Sequence, residues 1–186
     1  MEKMKETINR IEDVDYDRGK KAQERLDNLT KPRGSLGRLE EFAKRIVEIT
    51  GNEKPRFINK VIFTLAGDHG VAEEGISAFP QEVTPQMVYN FIRGGAGINV
   101  LAKHVGARVI VVDMGVAAKI ESSKLKGQNF KDKKIAPGTK NMSRGPAMTR
   151  EEAIKSIEAG IDVFAEELGT GVDIVGTGDM GIGNTT

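Results

Sequence analysis

The sequence predicts an α/β fold built on a parallel sheet, and three observations carry that prediction. Short apolar runs rich in β-branched residues recur as KVIFTLA (60–66), RVIVVD (108–113) and VDIV (172–175). Segments with helical spacing separate them, so strands and helices alternate along the chain. Each run leads directly into a polar, glycine-punctuated stretch: AGDHG, DMGV and GTGDMGIGNTT. Such alternation joins parallel strands through right-handed crossovers, and uniformly apolar strands fit a sheet covered on both faces.

Each element follows from its own residues. Ile8 and Ile11 begin a weak helical stripe that Ala22, Leu26 and Leu29 continue. Lys31-Pro32 interrupts it, because the residue before a proline is pushed out of the helical region. Beyond KPRGS, residues Leu36, Leu39, Phe42, Ala43, Ile46, Val47 and Ile49 form an apolar face opposite Arg38, Glu40, Glu41, Lys44, Arg45 and Glu48, giving an amphipathic helix that ends near Gly51. After the first strand, Thr84-Pro85 reads as an N-cap followed by proline at the first helical position, with Met87, Val88 and Phe91 on the apolar side. Gly94, Gly95 and Gly97 break that helix before a second one over Ile98 to His104. Residues 117–147 are polar and basic, a long connection without a legible period. Thr149 to Glu152 forms a capping box that opens a helix with Ala153, Ile154, Ile157, Ile161, Phe164 and Leu168 on one face. Gly169 to Gly171 close it, Val172 to Val175 form the third strand, and 176–186 form a loop. The expected division is a helical segment over 1–50 and a sheet-bearing part over 51–186.

Composition narrows the function classes. Lys and Arg total 28 against 27 for Asp and Glu, a formal net charge of +1, so no overall field draws the chain to nucleic acid or to a membrane. The absence of cysteine excludes disulfides, thiolate metal sites and a cysteine nucleophile. The N-terminus alternates charges without an apolar core, and no run reaches the roughly 18 apolar residues of a membrane span. A cytoplasmic setting is the expectation.

Three stretches have the residue types of a site. Residues 66–84 gather Asp68, His69, Glu73, Glu74, Ser77, Gln81 and Glu82 behind a strand. Asp68 and His69 fit a metal site, the orienter and base of a nucleophilic site, or simple loop architecture. The metal is disfavoured because no HxH or HExxH spacing occurs and His104 lies at a helix end. Ser77 and Gln86, near Phe79, Met87 and Tyr89, combine apolar faces with a few polar contacts; this suits a flat aromatic ligand, and equally suits core packing. In GDMGIGNTT, glycines allow the backbone amides to approach an anion and the threonines add donors; the same glycines also suit a tight turn. The spacing matches neither GxxxxGK[ST] nor the usual dinucleotide GxGxxG, which disfavours a P-loop kinase and a standard Rossmann dehydrogenase. Lys31, Arg33, Arg144 and Arg150 are suited to gripping phosphates or carboxylates, or to decorating a solvated surface.

Taken together, KPRGSLGRLEE, AGDHGVAEEGISAFPQEVTPQMVYNFIRGGAGINVLA, VVDMGV, GTKNMSRGPAMTREEA and GTGDMGIGNTT resemble nicotinate-nucleotide:dimethylbenzimidazole phosphoribosyltransferases. The resemblance runs in order from about residue 30 to the last residue. It implies transfer of phosphoribose from nicotinate mononucleotide to 5,6-dimethylbenzimidazole in cobalamin lower-ligand assembly, giving α-ribazole 5′-phosphate and nicotinate. It implies no metal or redox cofactor, and a homodimer whose protomers combine a Rossmann-like large domain with a small helical domain that takes in the N-terminal helices. By the same resemblance, Ser77, Gln86 and Met87 belong to the aromatic slot. Asp179, Met180, Gly181, Ile182, Gly183, Asn184, Thr185 and Thr186 belong to the phosphate and ribose cradle. Asp179 stands where the family generally has glutamate, an acid one methylene shorter, with a possible supporting role. Family members are roughly twice as long, so the expectation is an N-terminal half that ends inside its own active site. The general base then falls beyond residue 186, and the chain alone is inactive or nearly so. The alternatives are a module that binds a benzimidazole or a mononucleotide without turnover, and a hydrolase using Asp68 and His69.

Overall fold

The computed structural model describes residues 1–125 and 129–184. Among them, four parallel strands form one sheet: β1 (Lys60–Gly67), β2 (Ala107–Gly115), β3 (Phe130–Asp132) and β4 (Ile174–Met180). Their spatial order is β3-β2-β1-β4, so the sheet grows from β1 to one side and then places β4 on the other. That reversal makes the boundary between β1 and β4 a topological switch point, the position beyond the strand ends where the ligand crevice lies in open α/β sheets. The helices are α1 (Glu2–Asn9), α2 (Tyr16–Asp27), α3 (Arg38–Thr50), α4 (Val83–Ile92), α5 (Gly97–Val105) and α6 (Arg150–Leu168).

Side chains alternate across the pleat, so the apolar strands feed two cores. Ala66, Val109 and Val111 pack with Val88 and Phe91 of α4 and Ala102 of α5 on one face. Val61, Phe63, Ile110 and Val112 pack with Val163 of α6 on the other. Full burial of each such valine or phenylalanine contributes about 1.5–3 kcal/mol, and the parallel α/β class expected from the sequence follows.

The chain divides into two compact units, Thr7–Phe57 and Met1–Glu6 with Ile58–Thr186. In the sheet-bearing unit the first residues bind α6: Met4 N–H donates to Glu158, and Lys3 pairs with Asp162. In the helical unit, Asp15 caps α2 by accepting from Arg18 N–H at 3.0 Å, and Gly51 ends α3 in the left-handed region at φ 66°.

Several boundaries and faces differ from the sequence reading. The last strand is not Val172–Val175 but Ile174–Met180, paired with β1 from Lys60 opposite Ile174 to Ala66 opposite Met180. The backbone ladder holds GTGDM extended despite the low strand propensity of glycine and aspartate. Asp173 precedes the strand and accepts from the N–H groups of Ile58 and Asn59 at 2.9 and 2.7 Å. Helix α4 starts one residue before Thr84, because the Thr84 hydroxyl is engaged elsewhere and does not cap it. The Thr149–Glu152 capping box forms as expected, yet α6 buries Ala159, Val163 and Glu167 and leaves Ile157 and Leu168 half exposed. Glu167 fixes that rotation by pairing with Arg108 and Lys131 at 2.8 and 2.9 Å. In α3 the buried residues are Glu40, Val47 and Glu48, whereas Leu39 is 63% and Phe42 52% exposed. Glu40 accepts from Lys31 Nζ at 2.8 Å and Leu36 N–H at 3.1 Å, and Glu48 accepts from Arg45 at 2.9 Å, which makes burial of these carboxylates tolerable. The 117–147 connection contains β3.

Candidate functional site

Asp68 leaves β1 as the knot of the crevice floor. Its N–H donates to Gly115 O and its own carbonyl accepts from Thr139 N–H, both at 2.9 Å, while Oδ2 accepts from Ala117 N–H at 2.7 Å. The residue is 2% exposed, and Oδ1 is buried without a hydrogen-bond partner among the described residues. The 68–74 segment is also tied to 139–144. A Cβ on Gly70 would lie 2.6 Å from Asn141 N, so only glycine permits that approach. Glu74 Oε1 accepts from Asn141 Nδ2 at 2.6 Å, Ser143 Oγ at 3.2 Å and Arg144 Nε at 3.1 Å. These bonds, Asn141's first, hold the Glu74 carboxyl below the usual carboxylate range.

His69 is fixed through its backbone: its carbonyl accepts from Gln81 Nε2 at 2.9 Å. Among the described residues no hydrogen bond joins the His69 ring to Asp68, whose Oδ2 is taken by Ala117. The orienter-and-base arrangement is therefore not formed, and the hydrolase expectation loses its geometry. No cluster of three or more His, Asp or Glu side chains suited to a metal occurs among the described residues.

Beyond β4 the chain makes a tight turn. A Cβ on Gly181 would collide with the Gly67 carbonyl oxygen, and Gly183 sits in the left-handed region at φ 94°. Ile182 N–H donates to Thr84 Oγ1 at 3.2 Å, linking the turn to the first turn of α4. Asn184 N–H donates to Gly181 O at 3.2 Å, and Asn184 Nδ2 donates to Asp179 Oδ2 at 2.6 Å. Asp179 and Met180 thus lie on strand β4, with Asp179 exposed at its end. Thr185 and Thr186 lie outside the described residues.

The expected aromatic slot is only partly drawn together. Met87 and Met180 border the same apolar cluster, whose buried members include Val88 and Ala66. Ser77 Oγ accepts from Phe79 N–H at 3.2 Å, and Gln86 is exposed; neither is hydrogen-bonded to the glycine turn among the described residues. Two of the candidate cations are committed, Lys31 to Glu40 and Arg144 to Glu74. Arg33 and Arg150 stay on the surface.

Deeper in the floor, Asp113 is fully buried at the end of β2. Its Oδ1 accepts from Val116 N–H at 2.8 Å, and Oδ2 faces Lys134 Nζ at 3.3 Å, an ion-pair contact rather than a well-formed hydrogen bond. Lys134 also donates to the carbonyls of Val116 and Ala118 at 2.6 and 2.8 Å. Burial raises the Asp113 carboxyl pKa against the opposing pull of Val116 N–H and Lys134.

This crevice can be set beside known proteins. A family model described as Phosphoribosyltransferase matches residues 11–186. The chain belongs to that phosphoribosyltransferase family. It is 58% identical over 187 residues to the nicotinate-nucleotide–dimethylbenzimidazole phosphoribosyltransferase of Geobacter sulfurreducens, a match covering 97% of this chain and 50% of that protein. The enzyme of the same name from Desulforudis audaxviator is 56% identical, covering 100% of this chain and 52% of its own. The crystal structure of the Thermus thermophilus phosphoribosyltransferase of that name aligns with a TM-score of 0.85 at 42% identity, covering 92% of this chain and 51% of that one. The chain spans about half the length of the curated relatives it matches.

In this chain several anchoring residues escaped sequence reasoning. Thr84 reads as a helix cap but holds Ile182, 98 positions away. Gln81 sits in the polar loop with nothing to mark it as the clamp on His69. Lys134 lies in the stretch without a legible period, and no local signal pairs it with Asp113.

Proposed function

We propose that this chain forms the crevice in which phosphoribose passes from nicotinate mononucleotide to 5,6-dimethylbenzimidazole, giving α-ribazole 5′-phosphate and nicotinate. The observation that carries the reading is the glycine turn at the β1/β4 switch point, pinned to α4 through Thr84. Glycines at 181 and 183 let the turn pack tightly on Gly67, His69 and Val71, which holds its backbone amides at the strand ends for a phosphate and ribose. Thr185 and Thr186 continue this cradle in the family pattern. The Asp179 carboxylate, oriented by Asn184, lies where positive charge develops as the bond from the ribose carbon to nicotinate breaks. Ser77, Gln86 and Met87 form the benzimidazole side of the site. The unprotonated ring nitrogen of the benzimidazole forms its bond to the ribose carbon as nicotinate leaves, and the other ring nitrogen loses its N–H proton to a carboxylate base.

The reading assigns the reaction to cobalamin lower-ligand assembly, with small molecules as partners and with neither nucleic acid nor a membrane. It requires no metal or redox cofactor, and it places the complete protein in the cytoplasm as a homodimer. No helix among the described residues is long and apolar enough to cross a membrane. The test extends this chain with the C-terminal half of the Geobacter sulfurreducens relative and supplies both substrates. Mass spectrometry is expected to find α-ribazole 5′-phosphate and nicotinate in equal amounts. A folded chimera that leaves both substrates unchanged, or that releases nicotinate without consuming the benzimidazole, refutes the proposal.

A further inference from the structure

The backbone of His69 is anchored, while the polar atoms of its ring are not used by the fold. Its carbonyl is clamped by Gln81, and the residue before it is tied at N–H, carbonyl and carboxylate. The half-buried ring itself makes no hydrogen bond or ion pair among the described residues. An imidazole always carries at least one N–H donor, so a pre-placed ring leaves that donor available.

Its position is specific. His69 Cδ2 lies 3.2 Å from where a Gly181 Cβ would be, and His69 Cβ lies 3.4 Å from where a Gly183 Cβ would be. The ring therefore runs along the glycine turn, and no side chain at 181 or 183 stands between them. Nε2 is bonded to Cδ2, the ring atom that faces the turn. Two cations near the turn are already engaged: Lys134 with Asp113 and Arg144 with Glu74. Of the nearby carboxylates, Asp68 Oδ2 accepts from Ala117 N–H and Asp179 Oδ2 accepts from Asn184 Nδ2.

We propose that His69 is the side chain that contacts the phosphoryl group, donating a ring N–H to an oxygen of a ribose 5-phosphate moiety seated on the Gly181–Gly183 turn. This rests on the phosphoribosyl reading above and adds to it a donor, which supplies charge-assisted recognition of the phosphate.

The test titrates the ¹⁵N-labelled chain with ribose 5-phosphate, ribose and 5,6-dimethylbenzimidazole while following the His69 ring nitrogens, with His104 as the internal control. Ribose 5-phosphate is expected to shift the His69 ring signals and leave His104 unmoved; ribose is expected to leave both in place. His69→Leu should weaken ribose 5-phosphate binding about tenfold or more, the effect of losing a hydrogen bond to a charged group. Affinity for the benzimidazole should stay within about twofold, and His69→Asn, which keeps a donor, should recover part of the loss. If ribose 5-phosphate shifts the amides of residues 181–184 but not the His69 ring, the inference about His69 is wrong and the crevice reading stands. If neither responds, both fall.

Discussion

Replacing Thr84 by valine removes one hydroxyl and almost no volume, which isolates the bond that links the glycine turn to α4. Thr84 is fully buried, and its Oγ1 is the acceptor for Ile182 N–H at 3.2 Å. Ile182 is itself 9% exposed, so its amide has little access to water once the acceptor is gone. A buried N–H left without a partner costs about 1–3 kcal/mol, and the added methyl offsets about 0.8 kcal/mol of that. The net loss is therefore about 0.2–2 kcal/mol, or at most roughly 8 °C in melting temperature for a chain of this size. Hydrogen exchange at the Ile182 amide should accelerate about tenfold, and ribose 5-phosphate binding should weaken because the turn is no longer held. Thr84→Ser is the control: it keeps the acceptor and loses only a buried methyl, so it should lower stability slightly while preserving Ile182 protection and ligand affinity. A Thr84→Val chain with unchanged Ile182 exchange and unchanged affinity would refute the claim that this bond organises the turn.

Two other substitutions probe the floor of the crevice. Gly181→Ala drives a Cβ into the Gly67 carbonyl oxygen, and this backbone atom has no rotamer to move to. The expected loss is about 3 kcal/mol, read as a lower urea midpoint, and wild-type stability in this variant would show that the turn relaxes freely. Asp113→Asn tests the buried carboxylate through pH. Because burial raises its pKa in the folded chain, the folded state takes up the proton first, and the penalty of holding the charge is present at neutral pH and fades on acidification. The stability of wild type relative to Asp113→Asn should therefore improve as pH falls from about 7 toward the carboxylate range. A relative stability that moves the other way would mean that Lys134 outweighs burial.

Much of the architecture was legible because it rests on local chemistry. The apolar β-branched runs around Val61 and Val109 predict buried parallel strands, the Thr149–Glu152 box predicts the start of α6, and Gly51 predicts the end of α3. The glycine-rich stretches after the strands also mark where a ligand crevice has to lie. What the residues could not disclose is which side of each helix faces inward. Several residues of the apolar stripes of α3 and α6, among them Leu39, Phe42, Ile157 and Leu168, are exposed, whereas Glu40, Glu48 and Glu167 are buried. That choice depends on Lys31, Arg45, Arg108 and Lys131 being placed to neutralise them.

The candidate site divides in the same way. From its sequence alone, this chain declares a parallel α/β sheet and a glycine turn behind its last strand, because backbone geometry and side-chain patterning act over a few neighbouring residues. Only the tertiary structure decides that GTGDM is strand, that Asp68 and His69 work apart, and that Thr84 holds Ile182. These outcomes depend on the strand order β3-β2-β1-β4, which brings the ends of β1 and β4 together. Which buried donor meets which acceptor is settled by that packing, over separations that no local pattern records.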